Sequence, residues 1–122
     1  MNQLIKFILV GIVATLINFL TYFICMQFNI SIVIAAILGY LTGLCFSFIF
    51  GKNWVFNNND PNFMLVLIKF IFVYITGLLI HTLLTYLLES KIDYKIAWLI
   101  GTFFSTVNNF LGSKYLAFKN ND

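Results

Sequence analysis

Four apolar runs of about twenty residues dominate this chain and leave it few ways to fold. They extend over about Leu4 to Met26, Ile32 to Phe50, Phe63 to Leu88 and Ile96 to Leu116. A hydrocarbon core about 30 Å thick takes roughly 20 apolar residues of helix to cross. In lipid, only helices and closed barrels satisfy their own backbone hydrogen bonds. The runs lack the alternation of strands, which selects helices. The expected fold class is therefore all-α: a polytopic membrane protein with four transmembrane helices. Only 9% of the 122 residues are charged, too few for the surface of a soluble domain of this size. The N-terminus is not expected to be a signal peptide, because Met1 to Ile5 has no basic side chain and no small-residue cleavage site comes after the long apolar run.

The second constraint is a duplication. Ala35, Gly39, Gly43, Ser47 and Gly51 recur every four residues, and Ala97, Gly101, Ser105, Asn109 and Ser113 occupy the same places 62 positions later. A spacing of four keeps residues near one helix face, so each series is a stripe of small side volume that lets helices approach closely in lipid. The first and third runs correspond at an offset of 63: Lys6-Phe7 with Lys69-Phe70, Val10 with Val73, Leu16-Ile17 with Leu79-Ile80, and Asn18 with His81. The Asn-rich stretch Asn57 to Asn62, which holds the sole Pro, separates the copies as a loop. The chain reads as one domain over 1–122, with repeat halves at about 1–56 and 63–118. A unit of two spans returns to its starting side, so the expected repeat is parallel, and repeat interfaces often hold a transporter's substrate.

The charge is sided. All seven basic residues are Lys, and five (Lys6, Lys52, Lys69, Lys114, Lys119) fall near the termini and the middle loop. Lys91 and Lys95 fall in the third connection, beside Glu89 and Asp93. By the positive-inside rule both termini are expected in the cytoplasm. The net charge of +3 reflects this sidedness and not a nucleic-acid footprint, since no basic stripe interleaves with base-stacking residues. Cys25 and Cys45 lie within apolar runs and read as small buried hydrophobes. Asn29-Ile30-Ser31 matches a glycosylation acceptor and is read as a chance match.

Polar residues inside the spans are the candidate site. Asn18 and His81 are equivalent by the repeat, with Thr15, Thr82 and Thr85 nearby. Intramembrane polar groups face the protein interior, either as helix–helix hydrogen bonds or as substrate contacts. Asn108 and Asn109 form a second cluster, opposite Phe46 and Ser47 of the first half, and Asn109 lies on the small-residue stripe. Lys52 and Lys114, with Lys6 and Lys69, stand at span ends. There an ammonium either holds a lipid phosphate or snorkels as a topology anchor. The spans contain no Asp or Glu, the single His has no arranged nucleophile, and no metal-ligand spacing occurs. No enzyme activity, catalytic residue, metal or cofactor is expected.

Lys6-Phe7-Ile8-Leu9-Val10-Gly11, followed by Phe48-Ile49-Phe50-Gly51-Lys52-Asn53-Trp54-Val55-Phe56, resembles the GtrA-like family. The second half echoes it in Lys69-Phe70-Ile71-Phe72-Val73 and in Asn109-Phe110 through Lys114 to Phe118. Ser47, where the family often has Asn, and Tyr74, opposite Gly11, depart from the pattern. The resemblance implies translocation of a polyprenyl-phosphate-linked monosaccharide across the membrane for cell-surface polysaccharide or teichoic-acid glycosylation. Separate membrane glycosyltransferases would make and use that lipid. The alternative is a non-transporting anchor or partner subunit of a polyprenyl-phosphate glycosyltransferase. A small multidrug-type exporter is disfavoured, because it needs an intramembrane carboxylate. Four helices leave little room for a headgroup, so a homo-oligomer is expected.

Overall fold

The computed structural model describes residues 2–120. Met1, Asn121 and Asp122, the outermost residues of the expected domain, lie outside the described residues, as does the side chain of Tyr94. The chain divides into two compact units, Met1–Asn59 and Asp60–Asp122. The boundary falls in the Asn-rich loop expected to separate the repeat halves.

The first unit is a helical hairpin of α1 (Gln3–Gln27) and α2 (Ile32–Phe50), continued by a π-helical turn, π1 (Gly51–Val55). The second has the same plan: α3 (Phe63–Leu88), α4 (Tyr94–Gly112) and a second π-helical turn, π2 (Ser113–Ala117). Helices α2 and α4 have identical lengths of 19 residues, and each π-helical turn has five. The 62-residue sequence offset is thus carried into the structure element by element.

Each helix starts where a short polar side chain can hold its first free amides. Asn2 Oδ1 accepts from the Leu4 and Ile5 amides at 2.7 and 3.2 Å. Ser31, Asn62 and Asp93 do the same for α2, α3 and α4. Helix α1 ends in a Schellman motif. The Ile30 amide reaches Cys25 O, the Asn29 amide reaches Met26 O, and Asn29 takes a left-handed φ of 60°. The role of Asn29 and Ser31 is therefore to stop one helix and start the next.

Among the described residues, three helical stretches, Gln3–Gln27, Ile32–Val55 and Phe63–Leu88, are long and apolar enough to cross a membrane. Only 11%, 22% and 22% of their most apolar windows are buried, so most of this apolar surface is left for lipid. Four spans were expected, and α4 falls short of the other three in composition because Thr, Ser, Asn108 and Asn109 interrupt its apolar residues. Its packing nevertheless sets its depth. From Gly101 beside His81 and Thr85, through Asn108 on Val73, to Phe118 on Phe70, α4 and π2 run the length of α3. At 19 residues α4 covers roughly 28 Å, close to the hydrocarbon thickness. The protein is a multi-pass, all-α membrane protein.

The small-residue stripes are the contact faces. Ala35, Gly39, Gly43 and Gly51 are buried in the first hairpin; Ala97, Gly101 and Ser113 are buried in the second, with Ser47, Ser105 and Asn109 half-buried. A Cβ on Gly39 would lie 2.7 Å from Asn18 O, and one on Gly43 would lie 2.8 Å from Ala14 O. On Gly101 it would lie 3.0 Å from His81 O. Backbone meets backbone at these points, which is why the positions carry no side chain.

Candidate functional site

Each hairpin places a pair of lysines, Lys6 with Lys52 and Lys69 with Lys114, at the end that carries the π-helical turn. In a π-helical turn the amide bonds five residues back, as Phe56 does to Gly51 O at 3.0 Å and Phe118 to Ser113 O at 2.8 Å. The extra residue per turn rotates the side chains beyond it. Val55 and Phe56 are thereby turned inward to 2% and 6% exposure, and Ala117 and Phe118 both to 2%. The exit ring then packs on the entry ring of the same hairpin. Phe56 lies 6.3 Å from Phe7, and Phe118 lies 5.6 Å from Phe70. The shared Phe…Lys…Phe pattern of both halves is therefore a clasp that fixes the Lys-bearing turn to the start of the preceding helix.

Within the first clasp, Lys6 and Lys52 come to one end. Lys52 Nζ donates to Asn58 O at 3.1 Å, and Lys6 Nζ stands 5.2 Å over the Trp54 ring. Asn57, with φ of 47°, turns the chain so that Asn58 can be buried there. In the second clasp Lys114 Nζ lies 5.3 Å from the Tyr115 ring and 5.9 Å from Phe110. Lys69 is half-buried beside Phe70 on α3. A Lys over an aromatic face keeps its charge available at modest desolvation cost. This is chemically suited to an anionic headgroup at the membrane interface. Ser113, opposite Gly51, is fully buried, and its hydroxyl has no hydrogen-bond partner among the described residues.

The mid-helix polar residues serve largely as helix contacts. Asn18 faces Gly39 and Gly43. Asn108 Nδ2 donates to Val73 O at 3.1 Å and to Asn109 Oδ1 at 3.3 Å. Asn109 occupies the space that a Cβ on Gly77 would need. His81 packs against Gly101, the repeat counterpart of Asn18 against Gly39, and its ring meets Trp98 edge-on at 5.9 Å and 83°. The first hairpin has a further bond, between the Thr21 and Thr42 hydroxyls at 2.9 Å. Hence the structure brings Lys6 with Lys52, and Asn108 with Asn109. Asn18 and His81 hold matching places in separate hairpins.

Two features escaped the sequence reading. One is the pair of π-helical turns, for which the only signal is the small residue (Gly51, Ser113) immediately before each Lys. The other is a cleft of about 470 Å³ at the opposite end of the second hairpin, lined by Thr85, Glu89, Lys95, Trp98 and Leu99. In the sequence Glu89 and Lys95 register only as charges of a connection, and Thr85 only as a polar neighbour of His81.

No curated protein sequence matches the chain. The family model of the GtrA/DPMS transmembrane domain matches residues 6–120, from the first clasp lysine to beyond the second clasp ring. With nearly every residue inside that match, the chain belongs to the GtrA/DPMS transmembrane domain family, whose members are membrane proteins in the handling of lipid-linked sugars.

Proposed function

We propose that the protein translocates a polyprenyl-phosphate-linked monosaccharide across the cytoplasmic membrane, with both termini cytoplasmic, for glycosylation of a cell-surface polysaccharide or teichoic acid. The observation that carries this reading is the duplicated clasp. Two hairpins each hold a lysine, Lys52 or Lys114, on a π-helical turn fixed by a Phe–Phe contact. π-helical turns are rare and concentrate at functional sites, and a duplicated one bearing a cation at a membrane interface suits a lipid phosphate. The isoprenoid tail stays in lipid along exposed rings such as Phe19, Phe72 and Phe103. The sugar is moved without being chemically altered. In this reading the protein acts as a homo-oligomer, and native mass in mild detergent returning only monomer counts against that part.

Reconstitution tests it. Liposomes holding the purified protein and labelled polyprenyl-phosphate sugar are expected to move label between leaflets. The Lys52→Ala, Lys114→Ala double variant is expected to lose that activity at least tenfold while remaining inserted and folded. Wild-type transport rates in a well-inserted double variant would overturn the phosphate role of the two lysines.

A second reading is favoured by one observation: Asn18, Asn108 and Asn109 are engaged in helix contacts. A bundle whose polar groups are so used suits a membrane anchor that recruits or stabilises a polyprenyl-phosphate glycosyltransferase. Co-purification of the transferase, with no label movement in liposomes, would select this reading.

A further inference from the structure

The cleft at the α3–α4 connection is built differently from the clasp end of the same hairpin. Thr85 comes from the last turn of α3 and Glu89 is its C-cap, and Lys95, Trp98 and Leu99 come from the first turns of α4. Just beyond it the two helices close on each other at Gly101, where a Cβ would lie 2.8 Å from Thr85 Oγ1 and 3.0 Å from His81 O. That close approach makes the floor. Trp98 is half exposed, and its ring is braced edge-on by His81 at 5.9 Å. The Thr85 hydroxyl is buried and has no hydrogen-bond partner among the described residues.

The charge differs too. Among the described residues, the clasp end of this unit carries Lys69, Lys114 and Lys119 against one carboxylate, Asp60. At the cleft end, Glu89, Lys91, Asp93 and Lys95 supply two acids and two bases. An anion gains from Lys95 there what it loses to Glu89, so the cleft is a poor phosphate site. An apolar chain would match Trp98 and Leu99 but strip water from Glu89 and Lys95 without replacing it. A sugar ring matches both parts. Its C–H face is apolar and lies flat on an indole, and its hydroxyls both donate and accept. Glu89 accepts, Lys95 donates, and Thr85 does either. The volume is in the range of small-molecule sites.

We infer that this cleft receives the uncharged sugar ring of the lipid-linked substrate, at the end of the second hairpin opposite its own clasp. The inference rests on the reading of the substrate as a lipid-linked sugar. The phosphate is bonded directly to the sugar, so the two ends of the hairpin act in turn: the lysine end holds the phosphate at one stage of transit, and the Trp98 end receives the sugar at another.

The test uses the whole protein in detergent and in liposomes. Of the two Trp, Trp54 is replaced (Trp54→Phe), so that Trp98 alone reports by fluorescence. The probes are citronellyl phosphate esters of glucose, galactose and N-acetylglucosamine, with citronellyl phosphate alone as the sugar-free control. At least one sugar ester is expected to change Trp98 emission at concentrations where the control does not, and Glu89→Ala is expected to weaken that response at least fivefold. In liposomes of the otherwise natural sequence, Trp98→Leu is expected to slow label movement at least fivefold and Trp98→Phe to restore most of it. Equal responses to glycosylated and bare probes, or no response at all, overturn the inference, as does wild-type movement in Trp98→Leu. A sugar-specific response in a protein that moves no label supports the cleft and overturns only the translocation reading.

Discussion

The two hairpins share one backbone plan and differ in how they are held together. In the first, the helices touch along glycine: Gly39 and Gly43 meet Asn18 and Ala14 at distances that exclude a Cβ. In the second, a serine stands at the Gly43 position, and the partner helix compensates by having Gly77 where the first has Ala14. Asn109 then fills the space over Gly77 and Asn108 bonds across to Val73 O. Small volume is kept across the contact while its chemistry changes from close-packed backbone to side-chain hydrogen bonds. The first hairpin keeps Asn18 against its glycines and a bond between the Thr21 and Thr42 hydroxyls, whereas the second carries His81, Trp98 and the cleft at its far end. The duplicated frame thus holds a clasp in each half, and the second half carries the cleft at its connection.

The largest expected break in this comparison is at Gly39. A Leu there drives into Asn18 O, and overpacking against backbone costs about 3 kcal/mol. Gly11, whose Cβ would meet nothing within 4 Å, is expected to accept Ala within about 0.5 kcal/mol. Thermal midpoints of the two variants in one detergent check the contrast, and equal midpoints would refute the close-contact account. Next comes the clasp. Phe70 is 1% exposed while Phe7 is half-buried, so Phe70→Ala is expected to cost about 3 kcal/mol and Phe7→Ala clearly less. Limited proteolysis at the chain ends reads whether each clasp has opened. The smallest effect is expected at Asn108. Its replacement by Leu removes an interhelical bond of a kind worth roughly 0.6 kcal/mol, measurable as a modest midpoint shift. A loss of transport in Asn108→Leu with an unchanged midpoint would instead assign the amide to substrate.

Much of this was legible in the residues. The spacing of four from Ala35 to Gly51 and from Ala97 to Ser113 identified contact faces, because in lipid the helix surface that carries no volume is where another helix fits. The loop at Asn57–Asn62 and the equivalence of Asn18 with His81 also stand, each of the latter two facing a glycine of the partner helix. Helix α4 was legible by its repeat with α2 more than by its own hydropathy, since Asn108 and Asn109 dilute the signal. What Asn108 does was not legible. An amide in a span suits a substrate or a neighbouring carbonyl equally, and only the position of Val73 O distinguishes them. Nor was the cleft, whose five residues come from two helices and acquire meaning when Gly101 lets those helices meet beneath them.

By itself the sequence determined that this is an all-α membrane protein made of two copies of a helical hairpin, and that the copies close through small residues. Those properties come from one-dimensional quantities: the length of apolar runs against the thickness of lipid, and a period that keeps small residues on one face. The tertiary structure alone decided that each copy ends in a π-helical turn clasped by two Phe rings, that Lys52 bonds Asn58 O while Lys6 stands over Trp54, and that Trp98 stands over a cleft. The physical reason is that a backbone amide can bond either four or five residues back, and the choice is made by what the rotated side chains meet. For Phe56 and Phe118 that is a ring on the preceding helix, far earlier in the chain, at Phe7 and Phe70.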